Sequence, residues 1–277
     1  MKQSILLCAV CALMLVSCKQ ESPKPAQAVT FRFPQLTQTT EPMSAPAVRK
    51  VAPLTDEDGQ QMTDLLLFDG STYLLRQQNS DPNFGTVTVM LSLGEHHLHF
   101  IATRSAGLSY EDGLLKCTSL RPTFGKHYDM TVSGGSDESI TLTRITGQLV
   151  ITVDDEIPTG AKDLRIQVGD SYTSIDPTTF NATRIGAFDQ TVGISGKVGS
   201  SGNEWKLNIL VPTYGEEHET TYTLTATNTS GDIIGQATGT LTLNSNTKTL
   251  LHGNLFTGTT AAFSLSTAWN ADINETF

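Results

Sequence analysis

Throughout the body of the chain the apolar side chains recur at every second position, which is the period of a strand with one buried face and not of a helix. Val87, Val89, Leu91 and Leu93 alternate with Thr86, Thr88 and Met90, and Leu149, Ile151 and Val153 alternate with Gln148 and Thr152. The same pattern runs through Leu164 to Val168, Trp205 to Ile209, Tyr222 to Ala226 and Thr240 to Leu243. Turn-forming clusters separate these runs: Asn79 to Gly85, Ser133 to Ser136, Gly199 to Asn203, Asn228 to Gly231 and Asn244 to Asn246. Helical spacing is scarce. Short alternating strands punctuated in this way point to an all-β protein built as antiparallel β-sandwiches.

The N-terminus carries an address. Lys2 precedes an apolar run from Ile5 to Val16, shorter than the ~20 residues that span a bilayer, and the pattern is that of a signal peptide. The run closes with Leu15-Val16-Ser17-Cys18, which resembles the lipobox of bacterial lipoproteins, where small residues precede an acylated cysteine. Residues 1–17 are therefore expected to be removed, and Cys18 to carry lipid. Residues 18–28, rich in Pro, Ala, Lys and Gln, read as a flexible tether. The charged residues directly after Cys18 resemble the signals that send Bacteroidetes lipoproteins to the outer face of the outer membrane.

The length of the remaining chain suits two domains of moderate size. The polar stretch from Ser133 to Ser139 is the expected end of the first, with a closing strand at Ile140 to Thr143. This divides the chain into an N-terminal domain at 29–143 and a C-terminal domain at 144–277. Cys8 and Cys11 leave with the signal and Cys18 is taken by lipid, so Cys117 has no intramolecular disulfide partner. A net charge of −10 argues against nucleic acid as a partner, because phosphate binding needs clustered Lys and Arg. No apolar run after Val16 reaches transmembrane length, so membrane attachment is expected through the lipid alone.

Residues able to carry chemistry are few. His96, His97 and His99 form the one histidine cluster, but on a strand His97 and His99 share a face while His96 points to the other. Asp56-Glu57-Asp58-Gly59 matches the opening of a calcium loop, yet Leu67 stands where such a loop ends in Glu, so an acidic loop is the reading. Asp154-Asp155-Glu156 and Glu216-Glu217 are neighbouring carboxylates with nothing in sequence to bring them across a cleft. Nucleophile-elbow, phosphate-loop and zinc-protease motifs are absent. Cys117 reads as a buried inert thiol, and Trp205, in phase with Leu207 and Ile209, as a core residue; Trp269 lies near the C-terminus. The expectation is a non-enzymatic protein without metal or cofactor.

The order of segments resembles the fimbrillin-like proteins of Bacteroidales, which include the shaft, tip and anchor subunits of type V pili. The resemblance rests on Met62 to Gly70, a strand ending in Phe-Asp-Gly, followed by Val87 to Gly94 and Leu98 to Ala102. It continues through Ile140 to Leu149, where a strand passes through Arg144 into the second domain, Ile157-Pro158, and the terminal Leu241 to Thr249 with Leu251 to Phe256. It implies two transthyretin-like β-sandwiches in tandem, and assembly with other fimbrial subunits by β-strand donation. It further implies that an arginine-directed protease removes the first strand of shaft subunits, here Val29 to Phe33. Arg49-Lys50, in a Pro/Ala-flanked segment, is the basic site best placed for that cut, and Arg32 lies within the strand itself. Without the cut the chain would keep its lipid and act as an anchor, with a host surface protein or glycan as a further partner. The alternative is a surface glycan-binding lipoprotein of an outer-membrane uptake system. An exposed, coplanar aromatic pair would favour that alternative, and converging carboxylates in a cleft would favour a hydrolase.

Overall fold

The computed structural model describes residues 25–33, 54–56, 59–257 and 263–267. Every long element among them is a strand, and a single 3-10 turn spans Ser195–Lys197. The first half holds β1 (Ala26–Arg32), β2 (Asp64–Asp69), β3 (Thr72–Gln78), β4 (Thr86–Ser92), β5 (Gly94–Thr103), β6 (Ser109–Glu111), β7 (Leu114–Lys116), β8 (Thr123–Val132), β9 (Ser136–Ser139) and β10 (Thr143–Arg144). The second holds β11 (Gly147–Val153), β12 (Ala161–Ile175), β13 (Ala182–Gly193), β14 (Asn203–Ile209), β15 (His218–Asn228), β16 (Ile233–Leu243), β17 (Lys248–Gly253) and β18 (Phe263–Thr267).

Alternation decides which face of each strand is buried. Along β15, Thr220, Tyr222, Leu224 and Ala226 point inward while the residues between them are more exposed. A three-stranded sheet ordered β4-β1-β9 faces a five-stranded sheet ordered β10-β8-β5-β2-β3. Val29, Phe31, Val87 and Leu91 of the first sheet meet Leu65, Leu67, Leu98 and Phe100 of the second in one core. A second pair of sheets, β14-β11-β17-β18 and β16-β15-β12-β7-β6 with β13 also paired to β12, closes on another core built from Leu149, Ile151, Leu164, Ile166, Leu224 and Leu241. The described residues thus form an all-β fold of mostly antiparallel sheets packed around these cores.

Three features depart from the sequence reading. β1 begins at Ala26, inside the stretch expected as tether. Ser136–Ser139, expected as part of a polar boundary loop, is strand β9, running parallel to β1 with Val29 opposite Ser136 and Arg32 opposite Ser139. A strand at a sheet edge needs only backbone partners on one side, so a polar segment serves there. Ile140 and Leu142, expected as the closing strand, lie between β9 and β10 and are buried as core residues.

The halves are joined by more than the chain. The β6-β7 hairpin turns at Asp112 and Gly113, both with positive φ (55° and 78°), as a two-residue hairpin turn requires. It then pairs with β12, Leu115 opposite Ile175 and Lys116 opposite Ser174, so residues from the first half extend a sheet of the second. Beneath this junction, Leu66, Phe68 and Ile101 pack with Leu115, Ile145, Tyr172, Ile175, Phe180 and Leu210.

Candidate functional site

Cys18, the expected lipid attachment point, and Arg49, the expected processing site, lie outside the described residues, as does Trp269. The first strand that such processing would release is fully described. β1 is the central strand of its sheet, antiparallel to β4 from Ala26 opposite Ser92 to Arg32 opposite Thr86, and parallel to β9 on its other edge. The Phe33 amide donates to the Gly85 carbonyl at 3.1 Å, and the Ile140 amide donates to the Arg32 carbonyl at 2.8 Å.

Val29, Phe31 and Phe33 are buried, and Phe31 and Phe33 both meet the Phe100 ring edge-on at centroid distances of 5.0 and 5.3 Å. Burial of each such side chain contributes about 1.5–3 kcal/mol, so this short strand is a large part of the core it completes. On its outer face, the Thr30 and Thr88 hydroxyls lie 2.9 Å apart, and Arg32 reaches Asp137 of β9 with a bidentate ion pair at 2.8 Å. The Arg32 side chain is therefore exposed, while its backbone is held in the ladder on both sides.

The histidines separate as the alternation predicts. His96 is buried between two acceptors, with Nδ1 2.6 Å from Asp69 Oδ2 and Nε2 2.8 Å from the Ser92 carbonyl. Burial opposes its charge, but the Asp69 hydrogen bond and charge and the Ser92 carbonyl outweigh that and raise its pKa. His97 is exposed and pairs with Asp129 at 2.7 Å. His99 meets His127 of β8, a partner the linear sequence did not bring into view. Among the described residues no group of three or more His, Cys, Asp or Glu is arranged to hold a metal ion.

The acidic motifs take structural roles. Asp56, read as part of an acidic loop, is buried, with Oδ2 2.6 Å from Arg104 and Oδ1 accepting the Gln60 amide at 2.8 Å. A carboxylate beside a guanidinium can enter an interior that a lone charge cannot. Asp155 accepts the amides of Leu255, Phe256 and Thr257 at 3.0, 2.6 and 2.7 Å, fastening the segment after β17. Cys117 is free and half-buried, and burial pushes its thiol pKa up, away from the nucleophilic thiolate. Trp205 packs partly buried against the second core, with Lys197 Nζ 5.5 Å above its ring.

Arg144, expected as the point of passage between the halves, is buried there. Its Nε donates to Thr146 at 3.1 Å, its Nη2 donates to Asn208 of β14 at 2.8 Å, and the guanidinium lies 5.8 Å from the Phe124 ring centroid. Burial lowers its pKa to about 10, against an opposing pull from Asp56.

No protein-family model and no curated protein matches the chain. Solved structures of similar course are known. One is a proposed cell adhesion protein from Bacteroides ovatus, with 8% identity and a TM-score of 0.49 over 88% of this chain and 97% of that one. A proposed adhesin from the same species gives 7% identity and a TM-score of 0.48 over 78% of this chain and 83% of that one. The fimbrial anchor protein Mfa2 from Porphyromonas gingivalis gives 12% identity and a TM-score of 0.45 over 83% of this chain and 91% of that one.

Proposed function

We propose that the protein is a non-enzymatic fimbrial or adhesin-like subunit, anchored in the outer membrane by lipid on Cys18, that joins neighbouring subunits by exchange of a β-strand. The observation that carries this reading is the position of β1. The strand lies close behind the lipobox, is the middle strand of its sheet, and fills the first core with Val29, Phe31 and Phe33. Its loss would leave two facing edges, β4 and β9, with unpaired backbone groups above an open hydrophobic groove. Such a groove accepts an extended segment of another chain, whose backbone completes the ladder and whose alternate side chains refill the core.

Cleavage after Arg49 would sever β1 from the rest of the chain; an uncut chain keeps β1 and the lipid together, as a basal or anchor subunit does. The lipobox and the order of segments that resembles fimbrillin-like proteins support the same reading.

Intact and peptide mass analysis of the protein from outer membranes and from sheared surface filaments tests it. A chain beginning at lipidated Cys18 and recovered with filament subunits is the result expected of an anchor. A chain beginning at Lys50 within filaments marks a processed, polymerising subunit. Recovery from membranes alone, with no filament subunit bound and filaments unchanged on deletion of the gene, overturns the proposal.

A further inference from the structure

We infer that the second half carries a preformed groove between β13 and β14 that accepts an extended, acidic segment of a partner polypeptide while β1 stays in place. Among the described residues β14 pairs with β11 alone and β13 with β12 alone, so each presents an unpaired edge. A cavity of about 510 Å³ is lined by residues 187–190 of β13, 206–210 in and just after β14, and 170–173 of β12. Successive side chains of a strand point to opposite faces, so a cavity lined by unbroken runs of strand residues lies along strand edges and not over a sheet face. The first half contributes residues 118–121, fixed by backbone bonds from Ala106 to Ser119 at 3.0 Å and from Thr118 to Ala106 at 2.9 Å.

The two edges are unequal templates. β14 pairs with β11 from Asn203 to Ile209 without a register shift. The β12-β13 ladder shifts between Val168 and Ser171, and again on either side of Tyr172, beside the cavity. Bulges interrupt an edge, and a regular strand keeps its unpaired backbone groups in line for another. The added segment therefore lies along β14, where the lining run of five residues extends for about 16 Å at ~3.3 Å per residue.

β14 also dictates what that segment carries. Leu207 is buried in the second core, and Trp205, Ile209 and Phe188 of β13 pack against the same core only partly buried. Apolar side chains on the inner face of an added strand finish that burial. Lys206 alternates with Trp205 and Leu207 and so occupies the outer face. Opposite charges on neighbouring strands attract and like charges repel, so the outer face of the segment is acidic.

The remaining charges of the groove agree. Asp170 Oδ2 lies 3.0 Å from His218 Nε2 and accepts the Thr220 hydroxyl at 3.2 Å, and Asp189 is held by Arg165 and Gln167. Both carboxylates are thus already engaged. Arg121 and Lys206, which line the same cavity, have no ion-pair partner among the described residues. In a chain of net charge −10, two unengaged cations at one groove select an acidic occupant.

The inference rests on the strand-exchange reading of function but uses a different groove, so an uncut chain can receive a neighbour, and the two can fail separately. The test uses the mature chain, produced without lipid and with β1 intact, and three fluorescent ten-residue peptides. One alternates Val and Glu, one alternates Val and Lys, and one is the Val/Glu peptide N-methylated at alternate amides so that it cannot extend a ladder. Anisotropy is expected to show saturable binding of the Val/Glu peptide, with a loss of tenfold or more for each of the others. The same loss is expected in the Lys206→Glu, Arg121→Glu double variant, at an unchanged melting temperature. Hydrogen exchange in the complex is expected to slow at residues 203–210.

Absence of Val/Glu binding, equal binding of the N-methylated peptide, or full affinity in the double variant overturns the inference. Protection at residues 86–92 and 136–139 in place of 203–210 also overturns it, and leaves exchange at the β1 position standing. Binding of polygalacturonate through Lys206 and Arg121, with the peptide unbound, would make the occupant an acidic glycan and overturn it too.

Discussion

His99 Nδ1 lies 2.7 Å from His127 Nδ1, a contact that requires one ring to donate and the other to accept. The His127 ring is also stacked on Phe180 of the second half, with centroids 3.9 Å apart and planes 17° from parallel. Phe180 reaches this position over Gly125, where a Cβ would stand 2.5 Å from its ring. Burial lowers the pKa of both histidines; His97 lowers His99 further, and His99 and Lys126 lower His127 further, against opposing pulls from Asp129 and Asp176.

A base with a depressed folded pKa contributes stability that is present above its unfolded value of 6.5 and is lost as pH falls below it. Acidification from about pH 7.5 to about pH 5 should therefore weaken the contact between His127 and Phe180. Denaturant unfolding of wild type and His127→Phe at both pH values checks this. The variant, which keeps a ring against Phe180 and cannot protonate, should lose less stability across the interval; equal losses would count against the assignment.

His96 should behave in the opposite sense. Its pKa is raised above 6.5, so the stability it contributes is fully present below that value and is lost as pH rises through the folded pKa. His96→Phe should accordingly be more destabilising at about pH 5.5 than at about pH 8.5. Titration of the His96 ring protons by NMR should place its midpoint above those of His99 and His127.

Phe31→Ala should cost about 3–5 kcal/mol, the range for truncating a large aromatic side chain in a packed core. The same variant should expose the β4 and β9 edges more often. Hydrogen exchange at residues 86–92 and 136–139 should rise ahead of exchange in β11 and β15. A synthetic peptide of residues 25–33 should slow that exchange by occupying the groove.

Arg144→Ala should destabilise the protein by about 3–5 kcal/mol, because it removes one member of a buried polar set and leaves Asn208, Thr146 and Asp56 without it. Arg144→Lys should recover little, since an ammonium cannot reach Thr146 and Asn208 with a planar fork. Thermal unfolding of the two variants measures both statements, and rescue by lysine would contradict the role assigned to the guanidinium.

The strands Val87 to Leu93, Leu149 to Val153 and Tyr222 to Ala226 were legible because one face of each is buried and the alternation records it. β9 was not, because Ser136, Asp137, Glu138 and Ser139 enter the sheet through backbone hydrogen bonds that leave no trace in side-chain type. Asp56 likewise gave no sign of its burial, which depends on Arg104, far away in sequence.

The sequence alone determined that this chain is built of half-buried strands and that it carries a net charge of −10, since each follows from local pattern or composition. Tertiary structure decided that β1 sits in the middle of its sheet, that the β6-β7 hairpin crosses so that β7 pairs with β12, and that Tyr73 and Tyr110 stack on each other against Phe68. The division has one physical cause. Burial of a strand face is set by its own side chains, whereas strand order and surface neighbours are set by backbone pairing and packing between segments remote in sequence, for which no residue carries a local mark.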